Sequence, residues 1–255
     1  MLVLRWIVIL GLLAVPTSLA ADLGLSPPRF ALSAPAGGVA VATVTVLTTA
    51  STDQQVAVEA RDWAMSIDGD LTFLPAGTTL TSAAAWLTLE ADQFGLPPSG
   101  SREMRIEVAV PDDAEGTHHA MVFFTVVPPP TDAPGVGVTT TTRVGLTVYV
   151  TVTGTERSGS ELVDLYQPDP TTLAAVVVNT GNTVMRLGGA IELRNEAGDV
   201  VHRLPVPDVP VLRESEREVR LDLPDDLEPG FYGVLALIED DRGGLLAGEL
   251  PIEIP

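Results

Sequence analysis

The sequence predicts an all-β protein made of two tandem immunoglobulin-like β-sandwich domains, on three observations: an internal repeat of domain size, strands that alternate with period two, and no amphipathic helical window. In the repeat, Arg102-Glu103-Met104-Arg105-Ile106-Glu107-Val108 leads to Pro111-Asp112-Asp113-Ala114-Glu115-Gly116. Later, Arg217-Glu218-Val219-Arg220-Leu221-Asp222-Leu223 leads to Pro224-Asp225-Asp226-Leu227-Glu228-Pro229-Gly230. The offset is 115 residues at the arginines and 114 at the glycines, the length of a sandwich domain and not of a solenoid unit.

Alternation places Met104, Ile106, Val108 and Val110 on one face of a strand, against Arg105 and Glu107 on the other. Val219, Leu221 and Leu223 stand likewise against Arg220 and Asp222, and Leu146, Val148, Val150 and Val152 against Thr147, Tyr149, Thr151 and Thr153. These are half-buried strands. The run Ala120 to Val127 differs, being apolar on both faces, so its second face is covered by the other domain, by a long loop or by a partner.

At the N terminus, Arg5 precedes an apolar run from Trp6 to Val15, then Pro16 and the small residues Ser18, Ala20 and Ala21. This pattern reads as a secretory signal peptide over residues 1–21, cleaved after Ala20 or Ala21. No later run has the length of a spanning helix, so the product is expected in the periplasm or outside the cell. Without cysteine it has no disulfide there. The formal net charge is −20, and lysine is absent, which excludes an electrostatic nucleic-acid binder.

The expected domains are 22–154 and 155–255, joined by the polar segment Gly154-Thr155-Glu156-Arg157-Ser158-Gly159-Ser160, read as a flexible linker. Pro128 to Gly135 reads as a long loop inside the first domain. Trp63 closes the strand of Val56, Val58 and Ala60 and is expected in the first core. Asn179-Thr180-Gly181-Asn182 reads as a turn with positive φ at Gly181 or Asn182. Leu227 to Tyr232 reads as a tyrosine corner, with the phenol bonded to upstream backbone. His118 holds the equivalent repeat position and is expected to make a structural hydrogen bond.

No thiol nucleophile, serine elbow, zinc-helix motif or phosphate loop is present, so no catalytic residue, cofactor or metal site is assigned and the protein is not expected to be an enzyme. His118 and His119 are adjacent in a strand and point to opposite faces, and His202 is isolated. Asp68-Gly69-Asp70 reads as a hairpin turn, and neither it nor Glu239-Asp240-Asp241 supplies a full calcium shell.

Leu25-Ser26-Pro27-Pro28-Arg29-Phe30, the Gly37-Gly38 turn, Trp63, Leu96-Pro97-Pro98-Ser99-Gly100-Ser101 before an arginine-rich strand, and Arg143-Val144-Gly145-Leu146-Thr147-Val148-Tyr149-Val150 resemble the N-terminal domain of periplasmic pilus-assembly chaperones of the PapD-like class, over residues 22–154. The resemblance implies a chaperone-like or assembly-accessory protein that lends a strand to an exported client such as a pilin-like subunit and anchors the client's C-terminal carboxylate. It assigns client-binding roles to Arg29 and Arg143 and to the donor positions Val136, Val138 and Thr140. Where the family has a cleft lysine this chain has Gly145. The alternative is a cell-surface or envelope structural or adhesive module without chaperone activity.

Overall fold

The computed structural model describes residues 23–128 and 141–255. Two sets of sheets follow one another along the chain. In the first, β1 (Leu23–Ser26), β3 (Val39–Thr48), β8 (Ser101–Ala109) and β6 (Leu87–Leu89) form one sheet in the order β1-β3-β8-β6. The facing sheet runs β2-β10-β9-β4-β5, from β2 (Arg29–Ala34), β10 (Arg143–Val152), β9 (Gly116–Val127), β4 (Gln54–Met65) and β5 (Leu71–Leu74), with β7 (Gln93–Leu96) also on β4. The chain thus begins in one sheet and crosses to the other, where β2 joins β10 as a parallel neighbour. The only helical element among the described residues is a single 3-10 turn at Ala84–Trp86.

In the second set, β11 (Ser160–Asp169), β12 (Thr172–Asn179) and β16 (Glu216–Asp222) form one sheet. The other is β14 (Val200–Pro205), β13 (Met185–Arg194), β17 (Gly230–Asp240) and β18 (Leu245–Ile254), with the short β15 (Pro210–Val211) also on β13. The protein is all-β, with two immunoglobulin-like sandwiches. The repeated arginine-rich segments are β8 and β16, and each carries its predicted apolar face into its own core: Met104, Ile106 and Val108 in one, Val219 in the other.

A third apolar cluster lies outside both cores. Trp63, Met121, Phe123 and Tyr149, on the outer face of the β10-β9-β4 sheet, pack with Leu212 of the second sandwich, and Val184 adjoins them. This corrects the placement of Trp63. Val56 and Val58 face the first core from even positions of β4, so an odd position of the same strand faces out. Trp63, 2 % exposed, is buried between the two sandwiches. The same contact covers the second face of β9, which explains why that strand can be apolar on both sides.

The segment 154–160, expected to be flexible, is held along its length. Gly116 N donates to Thr155 Oγ1 (2.8 Å), Arg157 N to Asn182 Oδ1 (2.7 Å), Asn182 Nδ2 to Thr155 O (2.9 Å) and Thr180 N to Gly159 O (2.9 Å). Polar groups that read as solvated are bonded to the 179–182 turn instead. Neither Gly181 nor Asn182 has positive φ, contrary to the expectation. The glycine that requires it is Gly116, at φ 70°-range left-handed geometry (φ 71), where a Cβ would stand 2.1 Å from Asn182 O. Far from this strap, the hairpin between β4 and β5 turns at Gly69 and docks on β16, with Glu218 N donating to Ile67 O (2.8 Å).

Candidate functional site at the half-paired edge of β10

Strand β10 is paired along its full length with β9, but with β2 only from Thr147 to Val152. Val126 N donates to Thr142 O and Thr147 N to Pro28 O, so even positions bond β9 and odd positions turn the other way. The backbone groups of Arg143 and Gly145 therefore lie on an edge that no strand among the described residues covers. The even positions point between the sheets: Leu146 is buried and Val144 packs against the first core. The donor positions Val136, Val138 and Thr140 share that parity and lie outside the described residues.

Arg29 opens β2 beside Thr147, where the free edge ends. Its side chain is exposed, and among the described residues it makes no ion pair. Arg143 sits four residues from Thr147 along β10, roughly 13 Å at strand rise. Its guanidinium is held by Glu59 (2.5 Å) and stacks 3.6 Å from the centroid of the Phe123 ring. The structure does not bring Arg29 and Arg143 together.

The absent lysine has a steric counterpart. A Cβ on Gly145 would lie 2.7 Å from Met121 Sδ and 3.3 Å from the Phe123 ring, so these two side chains fill the space over position 145. They are also members of the cluster that joins the sandwiches.

A second cation stands near Arg29 that the sequence did not reveal. Arg29 and Arg186, the latter on β13, line one cavity of about 300 Å³ between the sandwiches, together with Asp208. Burial pushes the Tyr149 phenol above its usual range, and the charges of Arg186 and Arg29 both act against that rise, so both guanidinium groups reach the field of the same hydroxyl. Nothing in the local sequence of Arg186 signals this. Its place beside Arg29 is set by how the two sandwiches meet.

His118 and His119 take opposite faces of β9. The His118 ring stacks on Trp86 (4.2 Å) and its buried Nδ1 has no hydrogen-bond partner. His119 stacks on Trp63 (4.5 Å), with Nε2 3.0 Å from Trp63 O. Asp240 accepts backbone N–H bonds from Arg242 and Gly244, as a turn does, and Asp68 lies in the hairpin turn 3.9 Å from Arg220.

No family model matches the sequence, and no curated protein matches it. Among solved structures, the YadV chaperone superposes with a TM-score of 0.51 at 11% identity, covering 91% of this chain and 100% of that one. The fold is that of this chaperone. The E. coli chaperone DraB gives a TM-score of 0.47 at 16% identity over 92% of this chain and 97% of its own. The Salmonella enterica SafA pilin–SafB chaperone complex gives 0.47 at 14% over 91% and 96%.

Proposed function

We propose that this chain is an exported, non-enzymatic chaperone-like or assembly-accessory protein that binds an exported client, such as a pilin-like subunit, by β-strand addition. The free edge of β10 carries the reading. At Arg143 and Gly145 the sheet offers unpaired backbone donors and acceptors, which an extended segment satisfies by lying alongside. The chaperone fold supports it. So does Arg29, a cation without an ion pair among the described residues at the end of that edge, suited to a client's C-terminal carboxylate through a charge-assisted hydrogen bond. In this reading residues 1–21 are the export signal, 22–154 and 155–255 are the two domains, and Val136, Val138 and Thr140 are the donor positions for the client's groove. The periplasm is the compartment where such a client is met.

The test is recovery of exported clients with the tagged protein from the periplasm. Arg29→Ala and Val138→Asp are each expected to lower recovery severalfold while the melting temperature stays near that of the wild type. Full recovery with both variants, or no client with the wild type, replaces this reading by that of an envelope structural module.

A further inference from the structure

We infer that the contact between the two sandwiches is an acid-sensitive latch: protonation of His118 and His119, at the end of β9 that the second sandwich encloses, separates the sandwiches while each stays folded. The geometry at the start of β9 supports this. Thr117 N donates to Asn182 O (2.8 Å) and Arg213 Nη1 donates to Glu115 O (2.7 Å), so residues of the second sandwich bond the chain on both sides of Gly116. Leu212, the neighbour of Arg213, packs into the cluster of Trp63, Met121, Phe123 and Tyr149. His118 and His119 follow two and three residues after Gly116, one on each face of the strand.

Both rings are placed to stay neutral. His119 is 4 % exposed, its ring lies 4.5 Å from that of Trp63 and 6.4 Å from that of Tyr149, and its Nε2 donates to Trp63 O (3.0 Å). It belongs to the surface on which Leu212 rests. His118 is 9 % exposed, lies on Trp86 and shares a cavity wall with Arg213. Protonation makes both nitrogens of a ring donors, and His118 Nδ1 is buried with no hydrogen-bond partner to receive from it.

The charges around the pair favour the same outcome. Burial lowers the pKa of both rings, and Arg213, whose side chain is 14 % exposed, acts in the same direction on each. A charged His118 also opposes a charge on His119. The backbones of Ser82 and Glu115 near His118 and the Trp63 carbonyl at His119 favour the charged form without reversing the direction. So does Asp62 on β4, a fully buried carboxylate, but its oxygens already accept from Thr79 and Ser82. Of the other acids, Glu115 pairs with Arg157, Glu214 pairs with Arg213, and Asp113 lines the cavity from an exposed position where water screens it. When the sandwiches part, Arg213 withdraws and the rings meet water, so the separated state binds protons that the joined state resists. The latch is thus closed above pH 6.5 and weakens as pH falls toward the lowered values of the joined state. Separation uncovers the aromatic cluster, an apolar surface shut at neutral pH.

The chain has no cysteine, so thiols introduced at exposed positions on the two sandwiches, Thr43→Cys and Glu196→Cys, carry a dye pair alone. Energy transfer between the dyes reports separation and far-ultraviolet circular dichroism reports folding, both followed on the mature protein as pH is lowered from neutral. Transfer is expected to fall below pH 6.5 while the β-signal holds. With two protons taken up, the separation constant should rise about a hundredfold per pH unit at its steepest; His118→Phe or His119→Gln should reduce this to about tenfold, and the double variant should abolish it. The imidazole proton resonances of His118 and His119, assigned with the single variants, should titrate at the midpoint of separation. Constant transfer until circular dichroism is lost overturns the inference, and so does a fall in transfer that survives in the double variant. Should the double variant not fold, the wild-type resonances decide: titration of both rings with the sandwiches still joined overturns it equally.

Discussion

The outer faces of the six-stranded sheet of the first sandwich and the five-stranded sheet of the second teach why only one of them is an interface. By strand order and pairing, β4 and β9 in the first sandwich correspond in position to β13 and β17 in the second. On the first, the outer face presents Trp63, Met121, Phe123 and Tyr149, and the second sandwich covers it through Leu212. On the second, the corresponding sheet carries an ion-pair group, Arg194 to Glu192 at 2.8 Å and Arg203 to Glu192 at 3.9 Å, in which the two arginine side chains stay 41 % and 66 % exposed over a largely buried Glu192. Burying such charges costs more than their pairing returns, whereas the aromatic face gains by leaving water. Side-chain chemistry on one face, not the strand plan, decides which sheet is shared.

The strongest way to break this difference is to remove the largest member of the shared cluster. Trp63→Ala is expected to lower stability by about 3–5 kcal/mol, the usual range for deleting a buried aromatic side chain. In urea unfolding followed by circular dichroism and tryptophan fluorescence, the single transition should separate into two, since the cluster is the main apolar contact between the sandwiches. Trp63→Phe should cost far less, because the indole Nε1 is buried without a hydrogen-bond partner and its loss removes an unsatisfied donor. A loss of stability with one unbroken transition would show that the backbone strap at 179–182, and not the aromatic cluster, couples the two halves.

A smaller effect should appear with pH, again on the first sandwich alone. Burial lowers the pKa of His118 and of His119 below 6.5, and the positive charge of Arg213 acts in the same direction on both. For His119 the Trp63 carbonyl and the Asp62 charge partly oppose this. The unfolded chain then binds protons that the folded one resists, so stability is level above pH 6.5 and falls as pH drops below it toward the folded-state values. The urea midpoint should decline over that window. In the double variant His118→Phe, His119→Gln the decline should flatten. An unchanged slope would place the acid sensitivity elsewhere.

The strands were legible because alternation with period two is a direct trace of a half-buried sheet, and the repeat at Arg102 and Arg217 marked β8 and β16 as equivalents. Trp63 was assigned to the wrong core although its odd position on β4 contradicts the even set Val56 and Val58. Arg29 could be placed at the head of a strand, but Arg186 could not be paired with it, since their proximity arises from the contact between sandwiches and leaves no local pattern. The linker failed for another reason. Composition does not distinguish a polar group facing water from one bonded to Asn182, and Arg157 and Thr155 are the latter.

The smallest effect expected is at the corner of the second sandwich. There the Tyr232 hydroxyl donates to Glu228 O at 2.8 Å, closing the turn that leads from Pro224 into β17, as the spacing of Leu227 to Tyr232 led one to expect. The ring packs against the second core while the hydroxyl stands in an exposed bond, so Tyr232→Phe keeps the packing and loses only that bond. One such bond is worth about 0.5–1 kcal/mol, and the turn carbonyl it leaves behind can be satisfied by water. His118 stands at the same point of the first sandwich, and its buried Nδ1 has no hydrogen-bond partner. It closes its corner by stacking on Trp86 instead. The two corners are therefore expected to respond oppositely to the loss of their polar atoms: Tyr232→Phe should lower the urea midpoint slightly at every pH, whereas His118→Phe should leave it unchanged at neutral pH and raise it in acid. If Tyr232→Phe were instead to abolish client recovery at unchanged stability, the phenol would belong to a binding surface and not to the fold.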